Sequence, residues 1–180
     1  MSVTTERPGA AFELGEQLTV IGPLLVSGDR APDFSLDSFD ASTGAIRAVR
    51  LADTAGQVRL LHVVNSLDTP VCHVGAHRWE TLRADLPPEV VVYTVSMDLP
   101  FAQSRWQVAE GVEHPALSAH RAEAFGQSYG VLIKEWRLLQ RSVFVIGRDD
   151  RIVYAEYVAD QMREPAYEAA LIAARTAARA

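Results

Sequence analysis

Hydrophobic positions in the first half of the chain form short runs that are typical of β-strands. The run at residues 58–64 is almost entirely apolar, which predicts a strand covered on both faces of its sheet. Shorter patterns predict a hairpin over residues 12–21 with its turn at Gly15, a half-buried strand at residues 34–36 and an edge strand at residues 46–51.

Helical spacing appears after the apolar strand. Apolar residues recur at intervals close to a helical turn between Cys72 and Leu86, and Pro87-Pro88 ends this predicted helix. The order of strands and helices predicts an α/β fold of the thioredoxin-like kind, with a mixed central sheet flanked by helices and an N-terminal β-hairpin. The other predicted elements are strands at residues 90–96, 142–146 and 151–158 and helices at residues 100–110, 122–129 and 165–179.

Length and composition indicate one globular domain. The chain has 180 residues, of which 48% are hydrophobic and 22% charged, and it shows no internal repeat or linker. We predict a flexible polar leader at residues 1–11 and a single domain at residues 12–180.

The charge pattern excludes some classes of partner. A net charge of −6 argues against binding to nucleic acid or to an anionic membrane surface. No apolar run approaches the roughly 18–20 residues needed to span a bilayer. The N-terminus lacks the basic and apolar regions of a secretory signal, so we expect a cytoplasmic protein, whose cysteine stays reduced.

The single cysteine, Cys72, is the first candidate for chemistry. It lies where a buried strand gives way to a loop and then to a helix. A helix N-terminus presents free backbone N–H groups and the positive end of the helix dipole, and both favour the thiolate over the thiol. A second cysteine is absent from the sequence, so an internal disulfide is excluded.

Thr69 lies three residues before Cys72, a spacing that brings its hydroxyl near the sulfur if the loop turns directly into a helix. The hydroxyl can then bond the thiolate or an oxygen of a substrate. Asp68 or Thr69 can instead cap the helix, which is a purely structural role.

Several blocks of sequence resemble the thiol peroxidase subfamily of peroxiredoxins, in the family's order from about residue 12 to residue 174. The first is Ser66-Leu67-Asp68-Thr69-Pro70-Val71-Cys72, which is similar to the family's peroxide-reactive loop. The second is Ser96-Met97-Asp98-Leu99-Pro100-Phe101-Ala102-Gln103-Ser104-Arg105. Further matches lie at residues 31–34, 125–131, 141–146 and 164–170.

The resemblance implies a reaction and three catalytic residues. In the family, a thiolate at the position of Cys72 attacks a peroxide oxygen and becomes a sulfenic acid. The residue at the position of Thr69 helps to hold the peroxide. An arginine at the position of Arg141 favours the thiolate and polarises the O–O bond. The resemblance also implies a homodimer and no cofactor.

Three positions depart from the family pattern. Gln107 stands where the family usually has a resolving cysteine, so an external thiol must reduce the sulfenic acid. Asn65 replaces the proline of P-x-x-x-T-x-x-C that shields the sulfur from water. His77 replaces an arginine that usually follows the cysteine by five residues.

We consider Asn65, His73, His77, Gln107 and Trp106 as candidate substrate-binding residues. The two histidines are four residues apart on one helical face, a spacing that can chelate a metal, serve proton transfer or simply pack at the surface. The sequence shows too few further ligands, and we predict no metal site. Asn65 can instead bond the loop backbone, and Trp106 can be a core or interface residue.

Three functions are consistent with these residues. The first is a peroxidase that reduces hydrogen peroxide or a small organic hydroperoxide with an external thiol. The second is a peroxiredoxin scaffold re-purposed for another small substrate, because the residues that depart from the pattern are polar. The third is a non-catalytic redox sensor or binding protein in which Cys72 is oxidised once.

Overall fold

A computed structural model describes residues 5–180 of the chain. The elements of these residues, in chain order, are β1 (Glu6–Glu13), β2 (Glu16–Ile21), β3 (Ser35–Asp40), β4 (Ala45–Arg50), β5 (Val58–Val63), α1 (Pro70–Leu82), β6 (Val90–Ser96), α2 (Pro100–Glu110), β7 (Ala116–Ser118), α3 (Glu123–Ser128), β8 (Leu132–Ile133), β9 (Ser142–Ile146), β10 (Ile152–Tyr157) and α4 (Tyr167–Arg179). Short 3-10 turns follow β4 and α1.

The central sheet is mixed, as predicted. Its strands lie in the order β10-β9-β5-β6-β7-β3-β4, with β5, β6 and β7 parallel to one another and every other neighbouring pair antiparallel. The predicted N-terminal hairpin is formed by β1 and β2, and β8 extends it to a small three-stranded sheet. The α/β fold of the thioredoxin-like kind is thereby confirmed.

Strand β5 is buried along its whole length, because helices or loops cover both faces of the sheet. Leu60 packs with Trp79 of α1 and with the apolar face of α4. Leu61 points to the opposite face and packs with Phe125 of α3 and with Phe144. The strand therefore ends in a fully packed environment, where the loop to Cys72 begins.

Some boundaries differ from the sequence prediction. Strand β1 begins at Glu6, so residues 6–11 of the predicted leader form a strand, and residues 1–4 lie outside the described residues. The polar side chains of this segment suggested a loose leader. In the structure, however, Arg7 donates to the carbonyls of Gly22 and Gly130, which holds the segment in place as a strand. The short strands β7 and β8 were not predicted because two or three residues carry no readable pattern. No helix among residues 5–180 is long and apolar enough to cross a membrane.

Gly75 allows α1 to approach the sheet closely. A Cβ atom at this position would lie 3.2 Å from the imidazole of His62 on β5 and 3.2 Å from the hydroxyl of Tyr167 on α4. Glycine weakens a helix by about 1 kcal/mol relative to alanine. The close contact gives a structural reason for a glycine at this point in α1.

Glu80 of α1 connects this helix to the loop between α2 and β7. Its carboxylate accepts hydrogen bonds from Arg83 at 2.6 Å, from the His114 ring at 2.7 Å and from the backbone N–H of His114 at 3.0 Å. Burial by itself raises the pKa of Glu80, but the bonds from Arg83 and His114 outweigh it and lower the pKa from 4.5 to about 2. The ionised carboxylate therefore stabilises the folded state.

We predict that Glu80→Gln reduces the free energy of unfolding by about 1–3 kcal/mol at pH 7, because it weakens the bonds of a charged acceptor. The folded-state pKa lies below the unfolded value, so the contribution of Glu80 is complete above pH 4.5 and is lost as the pH falls towards about 2. Urea unfolding measured over this pH range checks both statements.

The matched control for this variant is Glu16→Gln, at an exposed strand residue. It should leave the unfolding curve within about 0.5 kcal/mol of the wild type. A Glu80→Gln protein as stable as the wild type at pH 7 would contradict the role assigned to the carboxylate.

Candidate active site

Cys72 is the third residue of α1, in the turn whose backbone N–H groups have no partner within the helix. Pro70 starts the helix, a position that suits proline because its missing N–H would be unpaired there in any case. The sulfur-bearing residue is fully buried. A thiol enclosed in this way needs a polar environment if it is to ionise.

Arg141 provides that environment. It lies immediately before β9, next to the end of β5, and its Nη2 atom donates to the Cys72 sulfur at 3.0 Å. The guanidinium is also buried. A positive charge at this distance stabilises a negative charge on sulfur, and the low exposure of both groups limits screening by water.

Backbone carbonyls hold the guanidinium in place. Nη1 of Arg141 donates to the carbonyl oxygens of Gln161 and of Arg163, the second at 2.9 Å. None of its hydrogen-bond partners in the described part of the chain is a carboxylate. Among these partners, the Cys72 sulfur belongs to the one group that can carry a negative charge to balance the guanidinium.

Asn65 lies beside the sulfur, two residues after β5. Its Oδ1 atom accepts from Nη2 of Arg141 at 3.4 Å and is 3.9 Å from the Cys72 sulfur. Its Nδ2 atom donates to the carbonyl of Leu139 at 2.6 Å and to Oε1 of Gln161 at 3.1 Å. The amide thus has the structural role considered for it, and it also contacts the reactive groups.

Gln161 was not recognised from the sequence, although it organises the site. Its Oε1 atom accepts from the backbone N–H of Arg141 at 2.9 Å and from Asn65, while Nε2 donates to the carbonyls of Val158 and Ala159. A buried glutamine in a polar loop after β10 gives no periodic signal. Its role depends on side-chain contacts across 20 and 96 positions of the chain.

Asp98 fixes the loop that precedes Cys72. Its carboxylate accepts from the hydroxyl of Ser66 at 2.7 Å and from the backbone N–H of Leu67 at 2.8 Å. The hydroxyl of Thr69 donates to the carbonyl of Ser66 at 2.9 Å. Thr69 occupies the cap position of α1 without a capping bond from its side chain, so the hydroxyl keeps a free lone pair for another donor.

Three of the remaining candidates, His73, His77 and Trp106, form a second group between α1 and α2. His73 and His77 pack with Trp106 at ring-centroid distances of 5.5 and 5.7 Å, and Glu110 lies next to both imidazoles. Gln107 faces away, with its Nε2 atom donating to the carbonyl of His114 at 2.8 Å. The polar residues that depart from the family pattern therefore do not line a single pocket.

His62 lies under α1 and is fully buried. Its Nδ1 atom is 3.3 Å from the Thr94 hydroxyl, but Nε2 has no hydrogen-bond partner among the described residues, so only one of its two ring nitrogens is paired. Burial, followed by the charges of His114 and Arg141, lowers the pKa of His62 well below its usual value. The ring is therefore neutral at pH 7.

We predict that Gln161→Leu lowers the free energy of unfolding by about 1–3 kcal/mol, because the backbone N–H of Arg141 and the amide of Asn65 lose a buried acceptor. Urea unfolding checks the prediction. The control is Gln17→Leu, at an exposed position of β2, which should unfold like the wild type. Equal unfolding curves for both variants would show that Gln161 does not hold the site together.

Comparison with known proteins finds relatives over most of the chain. The Redoxin family model matches residues 26–171, a span that contains Cys72, Arg141 and Gln161. A thiol peroxidase of Bacillus subtilis (strain 168) is 43% identical over 162 residues, which cover 89% of this chain and 93% of that protein. A thiol peroxidase of Streptococcus pneumoniae (strain ATCC BAA-255 / R6) is 44% identical over 163 residues, covering 90% and 96%.

Solved structures share the fold. A peroxiredoxin-like protein from Aquifex aeolicus superposes with a TM-score of 0.81 at 28% identity, covering 96% of this chain and 98% of that one. A thiol peroxidase from Chromobacterium violaceum gives a TM-score of 0.78 at 20% identity, covering 88% and 91%. The chain belongs to the redoxin family and, within it, to the thiol peroxidase group of the peroxiredoxins, as a member with a single cysteine.

Proposed function

We propose that the protein is a thiol-dependent peroxidase that reduces hydrogen peroxide or a small organic hydroperoxide at Cys72. The observation that carries the proposal is the 3.0 Å contact between the Cys72 sulfur and the Arg141 guanidinium in a buried site. The names of the relatives support the same reaction, because those reported above are thiol peroxidases. The enclosed sulfur favours a small peroxide.

The oxidation step is a two-electron transfer to the peroxide. The thiolate of Cys72 attacks the terminal oxygen, a sulfur–oxygen bond forms and the O–O bond breaks. The leaving oxygen departs as hydroxide or alkoxide and takes up a proton to give water or an alcohol. Arg141, which already donates to the sulfur, also lies within reach of the negative charge that develops on the peroxide oxygens.

The reduction step requires thiols from outside the chain, because Cys72 is its single cysteine. A first thiol attacks the sulfenic acid, forms a mixed disulfide and releases water. A second thiol attacks the mixed disulfide, which restores Cys72 and releases the two external thiols joined as a disulfide. The reductant is thus a small thiol or a thiol protein.

Neither alternative function is supported by a specific observation. Of the residues that suggested a re-purposed pocket, Asn65 lies beside the Cys72 sulfur and Gln107 bonds a backbone carbonyl. His73 and His77 pack with Trp106 in a separate group. The homodimer and the cytoplasmic location stay predictions from the sequence. Sedimentation of the purified chain tests the first of these.

We predict that Cys72→Ser abolishes peroxide consumption and that Arg141→Gln slows it by about 100-fold, because the variant removes a positive charge from the reacting atoms. The measurement is peroxide loss in the presence of excess dithiothreitol. Trapping with a dimedone-type reagent and intact-mass analysis should detect sulfenic acid in the wild type and none in Cys72→Ser.

Two further variants keep the arginine prediction testable. Arg141→Lys retains charge but loses the planar fork, and it should fall between the wild type and Arg141→Gln. Arg47→Gln, on an exposed edge strand, should react like the wild type. Thermal melting identifies any variant that is merely unfolded, and a folded Arg141→Gln protein with full activity would overturn the assignment.

Another prediction concerns the Thr69 hydroxyl. Thr69→Val keeps the shape of the side chain but removes the hydroxyl, and we expect peroxide turnover to fall by about tenfold, in the range of one lost hydrogen bond. Thr69→Ser retains the hydroxyl and should stay close to the wild type. Equal turnover in both variants would leave Thr69 a structural residue that holds the loop through Ser66.

A further inference from the structure

His73, His77 and Glu110 form a compact group of potential metal ligands at the surface between α1 and α2. Their ligand atoms all lie within 4.8 Å of one another. The two histidines are one helical turn apart on α1, and Glu110 is the last residue of α2. The sequence offered only the histidine pair, and the fold brings the carboxylate to it.

The two distances from the histidines to Glu110 are close to those around a tetrahedral ion, and the two histidine nitrogens lie within 4.8 Å of each other. Nε2 of His77 is 3.1 Å and Nε2 of His73 is 3.7 Å from Oε2 of Glu110. Zinc binds imidazole nitrogen and carboxylate oxygen at about 2.0–2.2 Å, which places neighbouring ligand atoms about 3.3–3.5 Å apart in a tetrahedron. Both measured distances differ from this range by only a few tenths of an ångström.

Both imidazole rings pack against an aromatic side chain of α2. The indole of Trp106 is largely buried and packs against His73 and His77 at centroid distances of 5.5 and 5.7 Å. The centroids of the two imidazole rings are 4.8 Å apart. A fixed aromatic wall restricts the rotamers of both ligands, which reduces the entropy lost when an ion binds.

We propose that His73, His77 and Glu110 bind a divalent first-row transition-metal ion of the Zn²⁺ type. Two imidazoles and one carboxylate form a donor set that such ions accept, and water completes the coordination because all three side chains are about one-third exposed or more. The proposal revises the sequence prediction of no metal site, and it does not depend on the peroxidase reaction.

A bound ion would join the first two turns of α1 to the end of α2. His73 follows Cys72 directly, so the ion would restrain the turn that carries the fully buried sulfur. An external thiol reaches that sulfur only if the turn opens. The ion therefore disfavours opening and slows reduction of the sulfenic acid, a consequence that rests on the proposed function.

Binding is tested on the full untagged chain, by competition for Zn²⁺ with a chromophoric chelator. We expect one ion per chain, a loss of affinity of about tenfold or more in His77→Gln and in Glu110→Gln, and no binding at this site in the double variant His73→Gln/His77→Gln. The controls are His120→Gln, a histidine outside the cluster, and Cys72→Ser. Both should bind like the wild type.

Hydrogen exchange then tests the restraint without a thiol that could itself bind the ion. Saturating Zn²⁺ should slow amide exchange at residues 71–77 in the wild type and leave it unchanged in the double variant. Equal affinity in the wild type and the double variant, loss of binding in Cys72→Ser, or exchange that Zn²⁺ does not alter would each overturn the proposal. These readouts are independent of peroxide turnover, so a protein without peroxidase activity could still bind the metal.

Discussion

The contact between Cys72 and Arg141 is the constraint on which the site depends. Both residues are almost completely removed from water, so each charge must find its complement inside the protein. The sheet provides the geometry, because Arg141 precedes β9, which pairs with β5, and the loop after β5 leads to the cysteine. Loop carbonyls that accept from the guanidinium then orient it towards the sulfur.

The surroundings of Arg141 explain the amide side chain at position 65. Asn65 accepts from the same guanidinium nitrogen that donates to the sulfur, and its own donors are satisfied by Leu139 and Gln161. A proline at this position could do none of this, since it has no side-chain donor or acceptor. The departure from the family pattern extends the polar support of Arg141.

The sequence predicted the fold, and it singled out Cys72 and Arg141, which are in contact, but it did not identify all the residues that support them. Strand β5, helix α2 and strand β9 were read from continuous apolar runs or from a proline start and a glycine end. Arg141 was named only through a resemblance, since a charged residue before an apolar strand is ordinarily solvated. The roles of Gln161 and Glu110 were not predicted because neither residue lies in a recognisable local sequence pattern. Only long-range packing brings them to their partners.

The amide at position 107 has a mechanical consequence. The resemblance to the family places a resolving cysteine at this position of α2, and a disulfide from there would require the two sulfur atoms to meet. Here Gln107 bonds the carbonyl of His114, whose ring is held in turn by Glu80 of α1. Position 107 therefore links α2 to α1 through the His114 loop, so in this chain it contributes to the packing of two helices and not to a disulfide.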